Sequence, residues 1–340
     1  QVTSDDWTAP GVYEVVPGVH RIPLPLPNDG LRAVNVYAIV GSGGPVLIDS
    51  GWAIADARAL LDDALAELGS AVGDVQRFLV THMHRDHYSQ AIHLRREFGT
   101  RVSLGAEERW SLEIASKPRT ANESSQVRLL RELGAADIAN QMAERMSKIP
   151  RDISDWELPD DWFTNHEQID ANGRGLEVVE TPGHTRGHVV FYDTANTLLF
   201  AGDHVLPTIT PSIGFEPAMT ESPLGSFLNS LAGVRNRPDA MLLPAHGLGG
   251  PLTHSLCDEL VEHHRIRLDQ MCDALTTGAE TASAVAGIVT WTRRERKLAD
   301  LDVFNQFLAV CETGAHLQLL VAHGRARMTE RDGVRYYVAN

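Results

Sequence analysis

Residues 81–90 read THMHRDHYSQ, which puts three histidines and an aspartate into seven consecutive positions directly after the apolar run VQRFLV. Such a stretch has poor helix and strand propensity and gains nothing obvious by packing, so it is read as a group of ligands that holds metal. A strand ending at His82 would project residues 82 and 84 to the same side, because side chains alternate with a period of two. Asp86 and His87 come where the chain turns into a predicted helix, so they point to a neighbouring position. One loop is thus expected to supply parts of two sites.

Three later strand ends offer further ligands: TPGHTRGH presents His184, AGDH presents Asp203 and LLPAHG presents His246. Each follows an apolar run beside Gly or Pro, a setting that lets a loop approach a cluster closely. Seven imidazole and carboxylate ligands fit two ions bridged by a carboxylate. This donor set suits zinc and also iron or manganese, and no thiolate biases it towards zinc alone. The cysteines Cys257, Cys272 and Cys311 are not spaced as ligands. Being odd in number and too few for a disulfide framework, they predict a reducing, cytoplasmic setting.

Around the ligands the chain alternates. Short β-rich runs (GVYEVVPGVHRIPLPL, AVNVYAIVG, GPVLIDSG) precede the helical stretch AIADARALLDDALAELG. VQRFLVTH, YSQAIHLRREFG and RVSLGA continue as strand, helix and strand. A second cycle runs through LEVVETPG, HVVFYDTANTLLFAGD, a helix over SPLGSFLNSLAGVRN and the strand AMLLPAHG. Two such halves predict two mixed sheets packed face to face with helices outside. Residues 106–165 break the alternation and are expected to form a helical cap, with Trp156, Trp162 and Phe163 as wall residues. From residue 255 the pattern is three helices and an RDG hairpin, a winged-helix-like arrangement. The expected domains are therefore 1–254 and 255–340.

The series HMHRDH, His184, Asp203, His246, in that order, resembles the metallo-β-lactamase superfamily over residues 13–250. That resemblance implies an αββα sandwich with a dinuclear site at one edge. By motif, His82, His84 and His184 would bind one ion, Asp86, His87 and His246 the other, and Asp203 would bridge. Asp49 of VLIDSG would buttress the site from behind the ligands. The tail, with HHRIRLDQM, resembles the β-lactamase-like and glyoxalase-II-like branch of the superfamily.

Two such ions lower the pKa of a bridging water to give hydroxide near neutral pH. Asp86, the only carboxylate in the motif, is the candidate for orienting it and receiving its proton. The implied activity is hydrolysis of a small-molecule thioester or ester, with an endoribonuclease or phosphodiesterase, a lactonase and a non-enzymatic regulator as alternatives. A net charge of −15 opposes long-range capture of nucleic acid or of an anionic membrane. From residue 255 onward the chain carries 10 basic and 12 acidic residues, so nearly all the acidity lies earlier. A nuclease would have to rely on RRERK at 293–297 and on Arg325, Arg327, Arg331 and Arg335. Arg265 and Arg267 are candidates to meet a carboxylate or phosphate on the leaving thiol, and His204 to line the pocket. His188 is expected to start or cap the next strand, and the tail to dimerise. No apolar run approaches the ~18 residues of a membrane span.

Overall fold

The computed structural model describes residues 6–27, 30–118, 120, 124–148, 152–292 and 295–340. Seven strands lie side by side in chain order: β1 (Tyr13–Val16), β2 (Val19–Pro25), β3 (Ala33–Ile39), β4 (Val46–Ile48), β5 (Arg77–Leu79), β6 (Arg101–Gly105) and β7 (Asp161–Phe163). The first four pair antiparallel through short turns, and the last four pair parallel. Parallel neighbours need a crossover, and the helices α1 (Ala55–Glu67) and α2 (Arg85–Phe98) supply two of them. The second sheet contains β8 (Gln168–Ala171), β9 (Arg174–Glu180), β10 (Val189–Asp193), β11 (Leu198–Gly202) and β12 (Met241–Pro244), in the order β12-β11-β10-β9-β8. Its single parallel pair, β11 with β12, is joined through a helix over Pro223–Arg235.

Alternation within single strands sorts the side chains into layers. Along β3, Tyr37 and Ile39 face Phe191, Phe200 and Leu243 of the other sheet, whereas Val34, Val36 and Ala38 face Leu61 and Leu65 of α1 and Tyr88 and Ile92 of α2. Along β10, Val189 and Phe191 point between the sheets, while Val190 and Tyr192 point outward onto Phe227 and Leu231. The result is an αββα sandwich of two mixed sheets.

The segment 106–165 is partly helical, with α3 (Arg109–Ala115), α4 (Ser125–Glu132) and α5 (Ala136–Lys148), and it ends in β7. That strand corrects the expectation for the aromatic residues. Phe163 is fully buried between the sheets, edge-on to Phe191 at 5.4 Å, and Trp162 lies under Arg109. Trp156 joins the core under the first sheet. Phe163 is therefore part of the core between the sheets and not a wall of the cap, because β-pairing with β6 pulls the end of the insertion into the sheet.

With the 223–235 helix as α6, the chain continues through α7 (Thr253–Thr276), α8 (Ala282–Ile288), α9 (Val303–Ala322) and a hairpin of β13 (Ala326–Arg331) and β14 (Val334–Ala339). Asp332 and Gly333 both have positive φ at the hairpin tip (51° and 75°), as a tight two-residue hairpin turn demands. These elements share one continuous core with the second sheet and the insertion: Leu199 and Leu242 from the sheet, Leu130 and Ile138 from α4 and α5, and Phe307, Leu317 and Leu320 from α9. Among the described residues no helix is long and apolar enough to cross a membrane. Deleting residues 255–340 would leave this shared apolar surface open to water. The truncated chain is expected to lose its single cooperative urea transition and to bind a hydrophobic dye, whereas an independent tail would leave the midpoint of residues 1–254 in place.

Candidate metal centre

The predicted ligands gather at one edge of the sandwich, in the loops that follow β5, β9, β11 and β12 and in the first turn of α2. The expected strand through His82 stops at Leu79, so it is a loop, not strand alternation, that brings His82 and His84 together. Asp49, directly after β4 with φ of 60°, organises that loop: its Oδ1 accepts the Thr81 N–H at 2.8 Å and its Oδ2 accepts from His87 Nδ1 at 2.8 Å. Asp86 sits in the first turn of α2, where the helix N-terminus favours negative charge. Gly202, with φ of 50°, brings β11 against the loop; a Cβ there would lie 2.7 Å from both His188 Nε2 and Thr81 Oγ1. Asp203 follows. After β12, Asn35 donates to the carbonyls of Pro244 (3.0 Å) and Gly247 (2.8 Å), holding the loop that carries His246.

The seven side chains form two groups. His82, His84, His184 and Asp203 bring one ligand atom each within 4.8 Å of one another, and so do Asp86, His87 and His246. In the first group His84 Nδ1 lies 3.0 Å from both His82 Nε2 and His184 Nε2. His184 Nδ1 donates to the Ser212 carbonyl at 2.7 Å, which leaves the Nε2 lone pair facing inward. In the second group His246 Nδ1 donates to the Ala33 carbonyl at 2.8 Å and His87 Nδ1 to Asp49, so both Nε2 atoms again face the centre. Asp203 belongs to both: Oδ2 lies 3.5 Å from His184 Nε2, while Oδ1 lies 3.7 Å from His87 Nε2 and 3.4 Å from His246 Nε2.

Three of these inward atoms have no hydrogen-bond partner. His87 Nε2, His246 Nε2 and Asp203 Oδ1 are buried and make no hydrogen bond. Orphaned buried polar atoms are costly, and several aimed at one point call for a common partner. Imidazole nitrogens with their second nitrogen already hydrogen-bonded, together with carboxylate oxygens, fit divalent transition ions.

Charge balance in the cluster points the same way. Burial alone would lower the pKa of His87, but Asp86, Asp49 and Asp203 outweigh it and carry the imidazole up to about 9. Burial, reinforced by His184, takes His84 down to about 3. Acidic ligands thus surround one group and neutral imidazoles the other.

Three further residues complete the surroundings in roles the sequence did not assign them. His188 does not merely start a strand: its Nε2 accepts the Asp203 N–H at 3.1 Å and its Nδ1 bonds to Thr181 at 2.8 Å, which fixes the backbone of the shared carboxylate. Glu216 Oε1 lies 3.8 Å from His84 Nε2, and Glu108 is bonded to the Thr185 hydroxyl. Burial raises both glutamates, Glu108 to about 7. No local motif marks these two, since each reaches the site from a separate loop.

Two expected pocket residues lie elsewhere. His204, in the turn just past β11, is fully buried, with its ring 5.2 Å from that of Phe227 of α6. Arg265 is exposed and grips Glu262 at 2.7 Å and Asp269 at 2.9 Å on its own helix.

Residues 29–246 match the metallo-beta-lactamase superfamily, and the chain belongs to it. Over most of its length it is similar to a metallo-beta-lactamase family protein of Thermus thermophilus: the TM-score is 0.77 and the identity 28%, covering 96% of this chain and 100% of that one. Hydroxyacylglutathione hydrolase GloC of Haemophilus influenzae is 26% identical over 175 residues, which cover 50% of this chain and 67% of the relative. An atrochrysone carboxyl ACP thioesterase of Paecilomyces divaricatus is 28% identical over 166 residues, 45% of this chain and 50% of that protein. The chain is thus a superfamily hydrolase with a His/Asp cluster suited to divalent metal.

Replacing Asp49 by Asn keeps the shape but removes the charge that polarises His87. Asp49→Asn is expected to weaken metal binding by about 10- to 100-fold, measured by competition with a chromophoric chelator. Unchanged affinity would show that Asp49 serves the loop alone.

Proposed function

We propose that the protein is a dinuclear metal-dependent hydrolase of a small-molecule thioester or ester, with zinc, iron or manganese as the ions. The observation that carries this reading is Asp203, whose two oxygens face the two ligand groups separately. Two divalent ions held by these residues would supply Lewis acidity, to activate water and to stabilise negative charge on the acyl oxygen.

The residues of the chain do the rest. Burial opposes ionisation of Asp86, yet His87 and His246 outweigh it and hold the carboxyl at about 2. As a carboxylate beside the ligand groups, Asp86 would accept the hydrogen bond that orients an attacking water. Phe215, from the loop after Asp203, lies 5.3 Å from the ring of His84 and 6.3 Å from that of His184, an apolar surface beside the ligand atoms. It suits an acyl group better than a phosphodiester.

The thioester preference is supported by the hydrolase and thioesterase names of the Haemophilus and Paecilomyces relatives. A polyanion is a poorer match. Arg325 pairs with Asp269 at 2.8 Å, Arg335 with Glu132 at 2.5 Å, and Arg331 stacks on Tyr336, so these cations are already engaged. Arg293 and Arg294 of the basic run lie outside the described residues.

The test is thiol release from a panel of acyl-glutathione and acyl-CoA thioesters by the zinc-loaded protein. Asp86→Ala is expected to lower kcat/KM by about 10²- to 10⁴-fold while thermal unfolding stays cooperative. Turnover that survives this substitution would overturn the role of Asp86. Absence of release from every thioester would move the assignment to lactones and then to RNA.

A further inference from the structure

Four of the five imidazoles in the centre have their outward nitrogen fixed at hydrogen-bond distance. His82 Nδ1 lies 3.0 Å from the Thr81 hydroxyl, His87 Nδ1 2.8 Å from Asp49, His184 Nδ1 2.7 Å from the Ser212 carbonyl and His246 Nδ1 2.8 Å from the Ala33 carbonyl. His84 is the exception. It turns Nδ1 inward, 3.0 Å from both His82 Nε2 and His184 Nε2, so its outward nitrogen is Nε2. Facing Nε2 at 3.8 Å is Oε1 of Glu216.

Glu216 is only 5% exposed, and its two oxygens differ: Oε2 accepts the Arg186 N–H at 2.8 Å, whereas Oε1 is buried and has no hydrogen-bond partner. Glu108 beside it uses one oxygen on the Thr185 hydroxyl and leaves the other unpartnered as well, so the two carboxyls do not satisfy each other. A buried acceptor left in that state is costly. The gap of 3.8 Å is too long for a hydrogen bond and too short to admit a bridging water, which needs two bonds of about 2.8 Å. A movement of about 1 Å closes it to the His84 imidazole. The rest of the same loop already grips the first ligand group: Phe215 stacks on His84 with ring centroids 5.3 Å and planes 28° apart, and Ser212 holds His184. Nearer Asp203, residues 206–210 line a cavity of about 840 Å³ against α7 and α9.

We infer that Glu216 is the positioning residue of His84: its Oε1 accepts the Nε2–H of that imidazole in the metal-loaded protein and so keeps the Nδ1 lone pair directed at the group His82, His84, His184 and Asp203. The inference rests on the reading of the cluster as a metal centre and not on the choice of substrate. An acceptor behind a ligating imidazole fixes its tautomer and its ring orientation, and losing such a partner typically costs about 10- to 100-fold in metal affinity. The role asks for an acceptor only, so a carboxamide oxygen in the same place serves it as a carboxyl does.

Two measurements on the full chain test this: the affinities for zinc, by competition with a chromophoric chelator, and the His84 Nε2–H signal in long-range ¹H–¹⁵N spectra of the zinc-loaded protein. The wild type is expected to hold two ions and to show a His84 Nε2–H protected from exchange with water. Glu216→Ala should weaken one ion by about 10- to 100-fold, leave the other within about 3-fold and lose the protected signal. Glu216→Gln should stay within about 3-fold of the wild type for both ions and keep the signal. Added to Asp49→Asn, which acts on the other ligand group, Glu216→Ala should leave both ions weakened. A wild type that binds two ions while His84 Nε2–H exchanges freely would overturn the inference, and that result needs no variant to fold. Unchanged affinities in Glu216→Ala would overturn it too, as would Glu216→Gln as weak as Glu216→Ala. A wild type that binds no ion would remove the metal centre and the inference together. The expected zinc and spectral results without hydrolysis of any thioester would leave the role of Glu216 standing and remove the thioesterase reading; hydrolysis with wild-type affinities in Glu216→Ala would do the reverse.

Discussion

The shared carboxylate of Asp203 is the constraint around which the structure is arranged. Its two oxygens face two groups of imidazoles and a second carboxylate, with His82, His87, His184, His246 and Asp203 itself buried. Burying that many polar atoms is favourable only if each has a defined partner, so the surrounding fold is organised to aim them. Asp49, Thr81, Ala33, Ser212 and His188 each occupy the far side of a ligand or its backbone, leaving one lone pair directed inward. This explains why two sheets must meet here. Asp49, His82, His84, Asp86 and His87 come from the first, while His184, Asp203 and His246 come from the second, and Asn35 of β3 ties the last of these loops to the opposite sheet.

The helical elements do more than cover the outer faces. The insertion and the C-terminal helices pack into one core with the second sheet, so the loop after Asp203 is held between the ligand cluster on one side and α7 and α9 on the other. That loop carries Ser212, Phe215 and Glu216, which touch the ligands, and Leu206 and Pro207, which line the cavity. The arginines of the hairpin are engaged within the protein, Arg325 with Asp269 and Arg335 with Glu132.

The ligand cluster was legible because its signal is local. HMHRDH crowds titratable groups into one short loop, and the later ligands each follow a recognisable apolar strand with glycine or proline beside it. The sandwich was legible for a similar reason, since period-two alternation and helical spacing are written into single segments. Residues whose role depends on where a distant loop lands were not. Glu108 and Glu216 look like ordinary surface acids in sequence, and His204, next to a ligand, reads as a pocket residue although the turn after β11 packs it against Phe227.

Arg265 and Arg267 make the division plain. Both could be read as candidates for an anion, but two residues on a helix are about 200° apart and point in different directions. Only the packing of α7 against α9 and the Asp203 loop decided that Arg265 faces water and its own helix while Arg267 stacks on Trp291. The sequence by itself determined the chemistry of the centre, because ligand type and strand-end position are local properties. Tertiary structure alone decided which side chains stand behind the ligands and which of the two arginines is buried against Trp291, because those depend on contacts between segments far apart in the chain.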